Sequence, residues 1–337
     1  MILVTGASGY IGSHTLVELI NAGHTVIGVD NFSNSSPAVL NNIKKILGVQ
    51  VPFMKLDLSD QKAVETLFEK YPIQSIIHFA AYKSVGESVQ EPLKYYRNNL
   101  LTLINLLEAC KDFGVDRFVF SSSCTVYGEP DSMKINEDAI LATHAASPYG
   151  NTKKISEQII QDYCKIHPLN CALLRYFNPI GSHESGLLGD EPNGVPNNLI
   201  PYLTKVVDGE LPFLSVFGGD YDTPDGTCIR DYIHVVDLAK AHQMAIEKIG
   251  SGAIQGVEAI NLGTGVGKSV LEVIQSFEAA TGEKVNYKIV ERRAGDITAI
   301  FADPSKAKDL LGWATELDLK DMLKSAWKFQ TTKKAKH

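Results

Sequence analysis

The stretch Ile2-Leu-Val-Thr-Gly6-Ala-Ser-Gly9-Tyr-Ile-Gly12-Ser-His14 decides the fold. A short β-branched run enters three glycines spaced three apart, and an amphipathic stretch over 11–22 leaves them. A chain needs Gly to turn this tightly from strand to helix and to let the helix pack closely on the strand. Further apolar runs follow at 25–29, 51–56, 75–79, 117–121 and 171–176. They are apolar almost throughout, the pattern of strands covered on both faces. Helical periodicity fills the intervals at 38–47, 61–70, 92–113 and 148–167. Alternation of this kind predicts right-handed crossovers and an α/β fold with a doubly wound parallel sheet.

After Asn178 the texture changes. Residues 181–198 are rich in Gly and Pro and predict a surface loop leading into a helix near 198–207. A strand is expected at 258–262, and Ser269-x-x-Glu272 is a capping box opening a helix that runs to Gly282. The expected division is a domain over 1–178 and a smaller mixed α/β domain over 179–337, with segments near 233–262 able to return to the first sheet. The lysine-bearing tail from 331 to 337 reads as a frayed, solvated end.

The chain has 337 residues, with 39 acidic against 32 basic side chains and a net charge of −7. That balance argues against nucleic acid as a partner, which needs an excess of cations. No apolar run approaches the roughly 20 residues that cross a bilayer, and no basic, cleavable leader precedes the first strand, so no membrane partner is expected. Five scattered cysteines, an odd number without Cys-x-x-Cys, suit reduced thiols in a cytoplasmic protein. Nine histidines without paired-ligand spacing predict no metal. Gly263-x-x-x-Gly267-Lys268-Ser269 resembles a phosphate loop, but the glycine that pattern needs at 262 is Leu262.

The glycine triplet places a helix N-terminus, with free N–H groups and partial positive charge, beside a strand end, which suits a dinucleotide pyrophosphate. A triplet alone also fits a generic strand-to-helix turn. Asp30, at the end of the second strand and 18 residues past Gly12, sharpens the reading. Its carboxylate can accept bonds from a ribose diol and would repel a 2′-phosphate, and no Arg follows in Asn31-Phe32-Ser33, so NAD is favoured over NADP. Asp57 is either an adenine contact or a cap for the helix at Gln61. Tyr149 and Lys153 lie four apart on one helix face. Ser121-Ser122-Ser123-Cys124-Thr125 follows the fifth strand, at the sheet edge that faces ligand in doubly wound folds. A phenol near 10 is a poor base. The Lys153 ammonium and an oxidised nicotinamide are expected to draw it down, with Lys153 also bonding the nicotinamide ribose and Ser123 or Thr125 holding the substrate hydroxyl.

Motifs along almost the whole chain resemble the extended short-chain dehydrogenase/reductases, and among them the UDP-glucose (UDP-galactose) 4-epimerases. They are the N-terminal stretch above, Ile77-His78-Phe79-Ala80, Val85-Gly86-Glu87-Ser88 and Phe120 to Gly128. Ser147-Pro148-Tyr149, Leu174-Arg175-Tyr176-Phe177-Asn178-Pro179 and Pro196-Asn197-Asn198-Leu199 continue the match. The last two are Gly226-Thr227-Cys228-Ile229-Arg230-Asp231-Tyr232-Ile233-His234 and Arg292-Arg293-Ala294-Gly295-Asp296. The resemblance implies a Rossmann domain, tightly held NAD, a homodimer and interconversion of UDP-galactose and UDP-glucose. The hexose is oxidised at carbon 4, the 4-keto sugar turns over, and it is reduced from the other face. Tyr149 is implied as base, with Lys153 and Ser123 as its partners. Gly6, Gly9, Tyr10, Ile11, Gly12, Asp30, Asn31, Asp57, Leu58, Phe79, Lys83, Asn98, Tyr149, Lys153 and Tyr176 are implied at the cofactor. Ser123, Thr125, Asn178, Asn198, Leu199, Phe217, Arg230, Arg293 and Asp296 are implied at the UDP-sugar, where guanidinium forks suit a diphosphate.

Three positions depart from the usual pattern: Cys124, Tyr82 and Ile300, the last at a position implied to gate hexose size. Isoleucine there is intermediate, so use of N-acetylhexosamines stays open, as do UDP-pentoses and UDP-uronates. A 4,6-dehydratase needs an acid–base pair where this chain has Ser123-Cys124. A non-catalytic NAD sensor usually lacks the Tyr–Lys pair.

Overall fold

Strands β1 (Ile2–Thr5), β2 (Val26–Asp30), β3 (Phe53–Lys55), β4 (Ser75–His78), β5 (Arg117–Ser121), β6 (Lys134–Ile135) and β7 (Asn170–Tyr176) are joined by six helices. These are α1 (Tyr10–Asn21), α2 (Ala38–Leu47), α3 (Gln61–Lys70), α4 (Val85–Gln90), α5 (Pro92–Phe113) and α6 (Pro148–Cys164). There follow β8 (Asn178–Ile180), α7 (Leu199–Val207), β9 (Leu214–Phe217), β10 (Ile229–His234), α8 (Val235–Gly250) and β11 (Val257–Leu262). The chain ends with β12 (Gly267–Ser269), α9 (Val270–Thr281), β13 (Tyr287–Val290), β14 (Ala299–Ala302) and α10 (Leu319–Lys334). This computed structural model describes every residue except Asp131, His144, Asn193, Ala294, Gly295, Lys336 and His337. Gly295 of the Arg292–Asp296 motif and the last two residues of the tail therefore lie outside the described residues.

Seven strands form one parallel sheet in the order β11-β7-β5-β4-β1-β2-β3. The order reverses between β1 and β4, so a crevice opens at their carboxyl ends, where open α/β sheets bind ligand. Leu3, Val4, Ile76, Ile77, Phe118 and Val119 are fully buried there, because both faces carry helices. A second sheet, β12-β10-β14-β6 with β8 on β10, and the pair β13-β9 pack with α7, α9 and α10 around Leu203, Val216, Phe277 and Leu323. The sheets do not divide at a single point in the chain. β6 belongs to the second sheet, while β11 lies at the edge of the first and α8 packs on α1.

Helix ends follow local chemistry. Pro92 opens α5, and Gly114 closes it in the left-handed region at φ +69°. Ser147 caps α6 by accepting from the Gly150 N–H, and the capping box at Ser269 and Glu272 is formed. Three expectations change. Helix α6 stops at Cys164 and not at His167, since Pro168 disfavours helical backbone at the residue before it. Residues 181–190 are not a surface loop: Gly181, Ser182 and Leu188 are buried against α8 and α10. The tail is helical to Lys334, whose ammonium pairs with Asp208 at 2.7 Å, so it is not frayed from 331.

Candidate active site

The glycine turn sits in the crevice between β1 and β4. A Cβ at Gly6 would lie 2.8 Å from the Ala80 nitrogen, and one at Gly12 would lie 2.2 Å from the Gly6 carbonyl oxygen, so neither position admits a side chain. Gly9 precedes α1 with no side chain to claim its first N–H groups. The Asp30 carboxylate is aimed by three donors, the Ser8 and Phe32 N–H groups and the Ser35 hydroxyl. Asp57 does not cap α3; Asp60 does, accepting from the Ala63 N–H. Burial works to raise the Asp57 carboxyl, but bonds from Ser59 and Asn31 outweigh it and hold it below its ordinary value. Leu58 is buried, and its carbonyl accepts from Asn105. Phe79 meets His242 with ring centres 4.6 Å apart and planes tilted by 46°, and Ile11 packs against the same core.

Across the crevice, Asp190 lies 3.5 Å from Lys83 and accepts from Asn198 at 3.4 Å, joining the loop after β4 to the start of α7. Lys83 also lies 5.9 Å from the Tyr10 ring centre, and the Tyr10 hydroxyl donates to the Gly181 carbonyl. Asn98 donates to Asn99, which bonds Tyr82 and Thr152 and so ties that loop to α6. Asp190 and Asn99 were not singled out from sequence. Each is one ordinary polar residue whose partners lie far along the chain.

Tyr149, Lys153 and Ser123 converge at the end of β5, all buried. Thr125 donates to the Ser123 hydroxyl at 3.0 Å, and Ser121 and Tyr176 share a hydrogen bond of 2.6 Å. The Lys153 ammonium donates to the Ser121 carbonyl at 2.6 Å and stands 6.0 Å from the Tyr149 ring centre. The chain's own groups work against the expected tuning. Burial pushes the Tyr149 phenol well above its ordinary value, the Tyr176 phenol adds to the rise, and the bond from Ser123 offsets it only in part. Burial lowers Lys153 to about 7 against the pull of Glu157. Desolvation therefore dominates both groups, and the chain's own residues do not bring the phenol into the working range.

The second sheet supplies cations. Asp296 lies 3.8 Å from Arg230 and 2.7 Å from Arg293, whose guanidinium is 5.4 Å from the Phe217 ring centre. Burial raises the Cys124 thiol to about 12, with Arg230 pulling it down, which places this arginine beside the serine turn. Asn178 pairs in register with Tyr232 of β10, and Leu199 starts α7. The predicted residues thus gather in three places: the glycine turn with Asp30, the Tyr149 cluster, and the arginine pair with Phe217. The 263–269 segment is explained by Asp231, whose carboxylate accepts from the Thr264, Gly265 and Ala302 N–H groups.

A parallel sheet with a glycine turn at its switch point and a Tyr–Lys–Ser cluster at the end of β5 defines an extended short-chain dehydrogenase/reductase. The sequence model of the GDP-mannose 4,6 dehydratase family matches residues 3–326. A curated UDP-glucose 4-epimerase of Bacillus subtilis is 51% identical over 332 residues, covering 98% of this chain and 97% of that protein. Among solved structures, a Stenotrophomonas maltophila UDP-glucose 4-epimerase with bound NAD and formylated UDP-arabinopyranose aligns with TM-score 0.96 at 45% identity, covering 100% and 99% of the two chains. A Bifidobacterium longum UDP-glucose 4-epimerase in complex with NAD+ and UDP aligns with TM-score 0.94 at 48% identity, covering 98% of each. The chain belongs to this nucleotide-sugar family and, within it, to the UDP-glucose 4-epimerases.

Proposed function

We propose that the chain interconverts UDP-galactose and UDP-glucose by oxidation and re-reduction at carbon 4, with NAD held throughout the cycle. The observation that carries this is the buried pair Tyr149 and Ser123, with half-buried Thr125 bonded to Ser123, beside a serine turn on which Arg230 acts while Asp296 ties Arg230 to Arg293. NAD held in the crevice would supply the hydride acceptor and donor at carbon 4. Gly6, Gly9 and Gly12 leave room for its pyrophosphate, with Tyr10 and Ile11 beside it. Asp30 and Asn31 take the adenosine ribose, and Asp57 and Leu58 lie at the adenine. Phe79, Lys83, Asn98 and Tyr176 complete the pocket toward the nicotinamide. With the positive ring of an oxidised nicotinamide beside it to favour the phenolate that burial alone disfavours, Tyr149 would take the 4-hydroxyl proton and later return it, Ser123 and Thr125 holding that hydroxyl in line and Lys153 steadying the phenolate. Asn178, Asn198, Leu199 and Phe217 flank the uridine diphosphate, and the two arginines neutralise it. In this division, residues 1–178 chiefly hold the cofactor and 179–337 chiefly grip UDP.

Elimination of water, the dehydratase reaction, is disfavoured because Cys124 supplies no carboxyl at the position where an acid is needed. A different UDP-sugar is the second reading, favoured by Ile300, which is neither bulky nor small and packs with Val126, Tyr127 and Phe177 beneath the site. Purified protein is expected to interconvert UDP-galactose and UDP-glucose without added NAD and to release about one NAD per chain on acid extraction. A parallel assay on N-acetylated UDP-hexoses decides the second reading, and no conversion of the plain hexoses with NAD present would reject the first.

Among the described residues no helix is long and apolar enough to cross a membrane. The five cysteines are free, which supports a cytoplasmic site of action. We place a homodimer on α5 and α6, supported by exposed Leu93, Leu101 and Ile104 along one helix. Light scattering tests it: a mass of only 36.8 kDa would reject the dimer.

A further inference from the structure

Glu157 stands one turn beyond Lys153 and two beyond Tyr149 on α6, and it is fully buried. Residues four apart share a helix face, so phenol, ammonium and carboxylate form one row against the sheet. Glu157 Oε1 accepts from the Ser122 hydroxyl at 2.5 Å and from Arg175 Nε at 2.9 Å, and Oε2 accepts from Arg175 Nη2 at 2.6 Å. Arg175 Nη1 donates to the Tyr127 hydroxyl at 3.0 Å, and that hydroxyl donates to Asn261 Oδ1 on β11 at 2.7 Å. A buried ion pair of this kind is often no better for stability than apolar packing of the same volume, so what it touches becomes the question. It touches the site. Ser122 lies between Ser121, whose carbonyl receives the Lys153 ammonium, and Ser123.

We propose that Glu157 is a positioning residue of the reaction, holding the Ser121–Ser123 turn through Ser122 and setting its carboxylate one turn behind the Lys153 ammonium on the same face of α6. Among the groups around Lys153, Glu157 brings the negative charge. From α6 comes the Tyr149 phenol; from β4 comes His78, which burial keeps neutral by lowering it to about 3. From β5 come the Phe120 ring, 4.8 Å away, and the Ser121 carbonyl. From β7 the Tyr176 phenol bonds the Ser121 hydroxyl at 2.6 Å, and Arg175 has its charge taken up by Glu157. Burial drags Lys153 down to about 7, and Glu157 is the group that acts in the opposite direction.

The kinetic part of the test rests on the epimerase reading; the spectroscopic part does not. In Glu157→Gln, the Lys153 side-chain NMR signal, assigned by its loss in Lys153→Met, is expected to titrate about one pH unit lower than in the parent. The alkaline limb of kcat should move down with it, with KM for the UDP-sugar little changed. Ser122→Ala leaves the ion pair intact, so the Lys153 midpoint should stay while kcat falls about tenfold, as expected for a loosened catalytic geometry. Should Glu157→Gln fail to fold because Arg175 is left unpaired, the double variant Glu157→Gln/Arg175→Met removes both charges and gives the same readout. An unshifted Lys153 midpoint in the charge-removing variant, or an unimpaired Ser122→Ala, overturns the proposal. A parent protein that converts no UDP-hexose would count against the epimerase reading, and the midpoint shift would still decide the role of Glu157.

Discussion

Tyr149→Phe should lower kcat about 10³-fold, within the range general acid–base groups contribute, while NAD content and thermal stability stay at the parent level. The substitution removes one oxygen from a side chain whose ring remains packed in place. Ser123 is not orphaned by the loss, since its hydroxyl still accepts from the Thr125 N–H at 3.2 Å and the Thr125 hydroxyl at 3.0 Å. Burial already holds the phenol protonated, so no buried charge is uncovered or left unpaired. What disappears is the path for the 4-hydroxyl proton, because Lys153 is engaged with the Ser121 carbonyl and stands 6.0 Å from the ring centre. A factor of 10³ corresponds to about 4 kcal/mol of barrier, enough to separate a lost proton path from a slightly moved substrate. Steady-state rates, acid-extracted NAD and melting curves on the same preparation make the comparison. A variant with near-parent rates would remove Tyr149 from the mechanism.

The gathering of Tyr149, Lys153 and Ser123 was legible in the sequence because two of them lie four apart on one helix and the third directly follows one strand, where spacing alone fixes direction. The parallel sheet was legible for the same reason, as its strands are apolar on both faces and helix α5 carries Pro92 and Gly114 at its ends. Local pattern says nothing about what sits behind that cluster. Glu157 and Arg175 are 18 residues apart and meet only when α6 folds onto β7. Asp190 reaches Lys83 across 107 residues. The 181–190 segment was misread for a different reason: its glycines look like surface turns, yet they permit close packing. A Cβ at Gly189 would fall 2.5 Å from the Phe329 ring, and one at Gly181 would fall 2.9 Å from His234. Strands as short as β6 and β8 carry too few residues to display any period, and their partners come from far along the chain.

Acid is expected to unfold the cofactor-free protein near pH 5, well before most carboxylates protonate. Four buried histidines carry this. Burial lowers His14 and His78 to about 3 and His234 and His242 to about 4, from an ordinary value near 6.5. His14 and His242 each donate Nδ1–H to the carbonyl four residues back, Tyr10 and Leu238, and their Nε2 atoms are buried without a partner. Protonation there would place a charge where nothing accepts it. His234 is the N-cap of α8, its Nδ1 accepting from the Val236 N–H, so protonation would break the cap and put a cation at the positive end of the helix. His78 bonds Thr5 and faces the Lys153 ammonium. Because all four folded values are depressed, the stability they confer is complete above about pH 6.5 and drains away as pH falls toward 4. Between those limits the unfolded chain binds protons that the folded chain refuses. Each histidine adds about 1.4 kcal/mol per pH unit, and four give roughly 5 kcal/mol per unit. Glu18, Glu137, Asp231 and Asp237, raised by burial, act the other way and trim the slope. Against a total stability of about 5–15 kcal/mol, about one to three pH units below 6.5 suffice, the lower half of that range placing the midpoint near pH 5. Urea melts of the cofactor-free chain between pH 7.5 and 5 measure the slope, and His242→Phe, which keeps an aromatic against Phe79, should reduce it by about a quarter. Unfolding free energies that stay level down to pH 5 would mean these histidines are not held neutral by the fold.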